Sequence, residues 1–216
     1  MFFTKFKISI FLILAALALP GAVSAHQPKI VEQSPVLVTE PEVSKAYYGE
    51  LAGESILFEI DAAAPFKLYA GLLVPDRPGV EKNISALISK DGEFFAFSDG
   101  ASFNWQPFYE PYGGDKYFQG PEIKQDAPAG HYVVEVFGPE YNGKYVLAVG
   151  EQEKFALKEI VGTYKTLYHL KKDFFGQPGW MILFNRISLF VFGPVILTVF
   201  LLAVMGIIIY KYKSKR

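Results

Sequence analysis

The chain has 216 residues, is 51% hydrophobic, carries 21 Lys and Arg against 22 Asp and Glu, and has no cysteine. The near-neutral total hides a split: all 22 acidic residues lie within the stretch from His26 to Asp173, where 14 basic residues stand against them, a net of −8. This composition excludes disulfide scaffolding, thiol catalysis, thiolate metal sites and lipoprotein acylation, and an acidic middle of this kind is expected to bind no nucleic acid, because phosphate neutralisation needs clustered Lys and Arg.

Met1 to Ala25 reads as a cleaved export signal. Lys5 and Lys7 precede an uncharged run from Ile8 to Leu19, which Pro20-Gly21 breaks, and Val23-Ser24-Ala25 supplies small residues for cleavage. Such a run reaches about 18 Å as helix, short of a hydrocarbon core of roughly 30 Å. Residues 26–150 follow as an extracytoplasmic domain. Its Pro-punctuated lead, 26–44, offers Ile30-Val31 and Val36-Leu37-Val38 as edge strands. From Lys45 onward short apolar runs alternate with turn residues, the pattern of antiparallel β structure. The runs are Ser55 to Ile60, Phe66 to Val74, Ile84 to Ile88, Glu93 to Phe97, His131 to Phe137 and Lys144 to Val149. Lys90-Asp91-Gly92 reads as a tight turn between two of them, and Asn142-Gly143 as a second. Seven or eight strands are expected, in an antiparallel, jelly-roll-like β-sandwich, with Tyr132, Val134 and Val136 inward and His131, Val133 and Glu135 outward.

The period changes after Gly150. Leu157, Ile160, Val161, Tyr164, Leu167 and Tyr168 recur at helical spacing within 153–172, so 151–179 reads as an amphipathic juxtamembrane helix and linker. Two placements of its stripe stand open: on the sandwich, or in the lipid interface with Phe174, Phe175 and Trp180. Residues 180–210 read as an interfacial lead and one transmembrane helix with its core at 187–210. Lys211, Lys213, Lys215 and Arg216 place the tail, 211–216, on the cytoplasmic side. The whole is a single-pass, type I chain, expected in the inner (plasma) membrane of a cell envelope.

The densest anomaly is 94–118, where ten of 25 residues are aromatic. Asn104 to Asp115 is broken by Pro and Gly and is expected to be a loop. Its rings either cap an open end of the sandwich, or Trp105, Phe108, Tyr109 and Tyr112 form an exposed platform for a partner protein or a glycan. A second candidate is His26. Cleavage after Ala25 makes it the first residue, whose α-amine and imidazole suit Cu(II), with His131 as a further ligand. Carboxylates at Asp91, Glu93, Asp99, Glu110 and Asp115 lack the spacing of a calcium loop. No Gly-x-Ser-x-Gly elbow, His-Glu-x-x-His or phosphate loop occurs.

Two stretches resemble the bacterial pre-peptidase C-terminal domain, a secreted jelly-roll-like β-sandwich. One is Lys45-Ala-Tyr-Tyr-Gly-Glu-Leu51 leading into Ile56-Leu-Phe-Glu-Ile60 and Phe66-Lys-Leu-Tyr69; the other is Ala129-Gly-His-Tyr-Val-Val-Glu-Val136 followed by Gly143-Lys-Tyr-Val-Leu-Ala-Val149. The resemblance covers about 44–150. It departs from the family where an Asp-rich strand is missing near Leu68-Tyr69 and where the aromatic insertion stands. It implies a sandwich and a non-catalytic role. The expectation is therefore a non-enzymatic, membrane-anchored binding or scaffolding module without a cofactor, whose partners are the bilayer and an envelope protein or glycan. A periplasmic copper-binding protein using His26 and an envelope hydrolase are the alternatives.

Overall fold

The computed structural model describes residues 26–154 and 157–214. The signal segment, 1–25, and the last two tail residues, Lys215 and Arg216, lie outside the described residues. The described chain belongs to two units, the first running to Ile182 and the second from Leu183.

The first unit is a two-sheet β-sandwich. Eleven strands form it: β1 (Gln27–Ile30), β2 (Val36–Leu37), β3 (Lys45–Ala52), β4 (Ile56–Ala62), β5 (Phe66–Pro75), β6 (Ser85–Lys90), β7 (Glu93–Ser98), β8 (Gln106–Glu110), β9 (Asp115–Ala127), β10 (Gly130–Phe137) and β11 (Asn142–Val149). One sheet has the order β1-β3-β11-β5-β9-β8, the other β2-β4-β10-β6-β7. Both sheets are mixed, which corrects the purely antiparallel expectation: β1 runs parallel to β3 with Gln27 opposite Lys45, and β2 parallel to β4 with Val36 opposite Phe58. The strands of the lead dock as edges on strands that follow later in the chain. Alternation of side chains reports which face a residue takes, not the direction of its neighbour.

Alternation places the core as the residues indicate. Tyr132, Val134 and Val136 are at most 1% exposed, and the two sheets meet through Phe58, Ile60, Leu68, Leu72, Tyr145 and Leu147. Edge-to-face rings tie them, Phe66 and Phe95 against Tyr132 at 5.5 and 5.1 Å, and Tyr47 against Phe58 at 5.3 Å. Lys90 and Glu93 flank the predicted turn, with Asp91 and Gly92 at φ +51° and +86°. The last hairpin departs from expectation. Its turn residues are Glu140 and Tyr141, at φ +53° and +47°, closed by the Asn142 N–H donating to the Pro139 carbonyl, and Asn142-Gly143 already belongs to β11.

Helix α1 (Leu157–His169) runs into a π turn, Leu170–Phe174, in which the Phe175 N–H reaches back to the Leu170 carbonyl at 2.9 Å. This segment lies on the outer face of the six-stranded sheet. Phe174 meets Tyr48 at 5.1 Å and Phe175 meets Tyr117 at 5.4 Å, both edge-to-face, and Leu167, Leu170, Phe174 and Phe175 are all under 9% exposed. Of the stripe whose placement stood open, Leu167 is buried while Tyr168 is 47% exposed, and the side chains of Leu157, Ile160 and Val161 lie outside the described residues; the sandwich holds Phe174 and Phe175, and Trp180 is 61% exposed. Each buried ring contributes about 1.5–3 kcal/mol by area.

The second unit contains one long apolar helix, α2 (Arg186–Lys213). Asn185 caps it, its Oδ1 accepting from the Ser188 N–H at 2.7 Å. Residues Val191–Lys213 are long and apolar enough to cross a membrane, the most apolar stretch within them having a mean hydropathy of 2.7. Pro194 stands inside it, and Thr198 Oγ1 donates to the Pro194 carbonyl at 2.8 Å.

Candidate partner-binding surface

The aromatic segment is not a free loop. Gln106–Glu110 pairs with β9 as the terminal strand of its sheet, Phe108 opposite Tyr117 and Glu110 opposite Asp115, leaving only Pro111 to Gly114 as the turn. Sequence reasoning missed the strand because Pro107 stands inside it and Pro111 follows it directly. Pro107 is tolerated because a terminal strand needs hydrogen bonds along one side only. The carboxylate of Glu110 organises the turn by accepting from the Tyr112 and Gly113 N–H groups at 2.7 and 2.6 Å.

The four predicted platform residues separate. Trp105 is 9% exposed; its Nε1–H donates to the Gly100 carbonyl at 2.8 Å, and its ring lies so close over Gly120 that a Cβ there would stand 2.5 Å away. It plugs the end of the core. Phe108 and Tyr109 are 38% and 57% exposed. As neighbours on one strand they point to opposite faces, Phe108 toward Tyr117 at 6.4 Å. Tyr112 sits half-buried in the turn. The structure thus brings Phe108 and Tyr109 together as two flanks of one free edge, with Trp105 behind them in the core.

The hairpin is held by a group that the sequence does not mark. Lys171, on the π turn, donates from Nζ to Asp115 Oδ1 at 2.6 Å and to the Gly113 carbonyl at 2.8 Å, with both charged side chains at most 3% exposed. Burial pushes the Asp115 carboxyl above its ordinary value against the opposing pull of Lys171, and burial raises Glu110 against its two backbone donors. Beside them the Tyr48 and Tyr117 hydroxyls share a 2.9 Å hydrogen bond. Two more cations close the end of the π turn: Arg77 Nη1 donates to the Phe174 carbonyl at 3.2 Å and Lys144 Nζ to the Asp173 carbonyl at 2.5 Å. Cations at carbonyls left open by a helix end satisfy both hydrogen bonding and the dipole. In a Lys171-Lys172-Asp173 run each charge reads as solvated, so nothing in the sequence pointed to Lys171.

The two candidate copper ligands lie on different sheets. His26 precedes β1 and its Nδ1 is hydrogen-bonded with Ser44 Oγ. The residue is exposed as a whole, but its ring lines a cavity of about 70 Å³ together with Tyr69, Phe108 and Glu122, where desolvation lowers its pKa and Glu153 partly opposes. His131, on β10 of the other sheet, donates from Nδ1 to Asp61 at 2.7 Å. Among the described residues no group of three or more His, Asp or Glu gathers as a ligand set. Of the loop carboxylates, Asp91 accepts from the His131 N–H at the start of β10 and from Lys90, and Asp99 closes its own turn on Ala101 and Ser102.

Two solved structures are similar to this chain. The pre-peptidase C-terminal domain of collagenase from Bacillus anthracis matches at 12% identity and a TM-score of 0.34, covering 58% of this chain and 96% of that one. A β-glucosidase from Paenibacillus barengoltzii matches at 11% identity and a TM-score of 0.24, over 60% of this chain and 14% of that one. At these values the resemblance is weak and says nothing of activity. No family model and no curated protein matches the chain.

Proposed function

We propose that this chain is a non-enzymatic, membrane-anchored binding module that docks an extended segment of a partner protein along the free edge of β8. In this reading residues 1–25 are removed on export, the sandwich stands outside the cytoplasm of a cell envelope, α2 crosses the inner membrane, and the basic tail stays inside. One observation carries the docking site: Phe108 and Tyr109 are exposed on the two flanks of a terminal strand. A segment pairing with that edge gains main-chain hydrogen bonds, and the two rings grip its alternating side chains from both faces. Such a grip suits an extended peptide better than the flat ring of a sugar. The Lys171–Asp115 clamp supports the same reading, because it holds the hairpin rigid at little entropic cost to binding.

The test is a pull-down and binding titration in mild detergent with Phe108→Ala/Tyr109→Ala and, separately, with Tyr109→Pro, which removes the backbone N–H that faces the free edge while the Phe108 N–H keeps its bond to β9. Both are expected to lose the co-purifying protein at an unchanged melting temperature. Retention of that protein by both variants, or a partner released by free sugars instead, overturns the reading.

A further inference from the structure

The two sheets differ in what lies on their outer faces. That of the six-stranded sheet is apolar and covered, by α1 and the π turn through Phe174 and Phe175. That of the five-stranded sheet sets apolar residues around carboxylates, and no described helix packs over it. Its strand registers set two adjacent rows across four strands: Leu57, Glu135, Leu87 and Phe97 in one, Glu59, Val133, Ser89 and Phe94 in the next. Phe94 is 73% and Phe97 48% exposed, and Phe97 stacks on Phe137 at 6.4 Å. An antiparallel sheet with one face in water ordinarily turns polar residues outward. A contiguous outward apolar surface marks an interaction site.

The carboxylates say what covers it. Glu59 and Glu135 stand diagonally in the middle of the face, half-buried, and neither has an ion pair or a side-chain hydrogen bond among the described residues. Diagonal cross-strand neighbours are about 7–8 Å apart, within reach of one guanidinium. The cationic group nearest on this face, His131, is already held by Asp61, with Glu59 adding only a weaker, longer-range attraction. We infer that this face docks a partner-protein segment that is apolar around one or two Arg or Lys side chains, the cation bridging Glu59 and Glu135. A second copy of this chain is a poor occupant, since a two-fold pairing sets the same carboxylates against each other. The inference is independent of the β8 site, which lies at the edge of the other sheet.

The test uses the full chain in phosphatidylcholine nanodiscs and two short fluorescent peptides, Val alternating with Thr, with either two central Arg or two central Glu. The Arg peptide is expected to bind at least about tenfold more tightly than the Glu peptide. Glu59→Gln/Glu135→Gln removes that difference, and Phe97→Ser weakens both. The control variant Glu122→Gln/Asp126→Asn, on the other sheet, keeps the difference. Equal binding of the two peptides, binding of neither, or an equal loss in the control overturns the inference. So does cross-linking of one copy to another through a photoreactive residue at position 97.

Discussion

Lys171 Nζ lies 2.6 Å from Asp115 Oδ1, and water reaches neither charge. Through this pair the segment leading to the apolar helix grips the tip of the β8–β9 hairpin, so the proposed docking edge and the chain's route to α2 share one fastening. Removing one partner leaves the other charge buried, next to the buried carboxyl of Glu110. Lys171→Met is therefore expected to cost about 3–5 kcal/mol, whereas Lys171→Met/Asp115→Leu costs markedly less. Chemical denaturation of the four species in detergent measures the coupling. A double variant no more stable than Lys171→Met contradicts it.

Trp105 is expected to behave as a core residue. Trp105→Ala lowers stability by about 3–5 kcal/mol. Gly120→Ala, which adds one methyl where the ring already sits, lowers it as well. Thermal unfolding separates these from Phe108→Ala and Tyr109→Ala, expected within about 1 kcal/mol of the parent because both side chains are exposed. A stable Trp105→Ala chain removes the core assignment.

The turn at Glu140-Tyr141 uses two left-handed residues that are not glycine. A type I′ turn favours Asn-Gly at these positions. Glu140→Asn/Tyr141→Gly should raise stability by up to about 1 kcal/mol, the relief of left-handed strain exceeding the added freedom of glycine in the unfolded chain, read as a higher denaturation midpoint. A fall in the midpoint means that the Tyr141 ring contributes more than the backbone strain costs.

His131 titrates above 6.5 because Asp61 accepts from its ring, with Glu59 and Asp91 adding to the effect. A raised folded-state pKa means that the interaction is fully present below 6.5 and fades as pH rises through the folded value. NMR titration of the imidazole is expected to show a midpoint above 6.5 that falls in Asp61→Asn. A midpoint at or below 6.5 in the parent contradicts the pairing.

Local pattern carried much of the architecture. The alternation in His131 to Phe137 sorted inward from outward residues correctly, and Asp91-Gly92 marked a turn because only a few residues adopt its dihedrals at little cost. The same logic misled at Asn104 to Asp115, where Pro and Gly signal broken structure although a terminal strand accommodates Pro107. It also misplaced the second turn, because neighbours in register decide which residues of Gly138 to Gly143 bend. The candidate site was half legible. Phe108 and Tyr109 were singled out together with Trp105, yet all are aromatic, and composition does not distinguish a plug from a handle.

What the sequence determined by itself is what depends on near neighbours along the chain: a β-rich acidic middle, a helical period after Gly150, and a terminal apolar run long enough to cross a bilayer. Contacts between distant segments decided the rest. Whether Trp105 is sealed or Phe97 bare, and whether Lys171 meets water or Asp115, depends on which strands end up adjacent. That adjacency is settled by burial summed over the whole sandwich, a quantity no single stretch of residues contains.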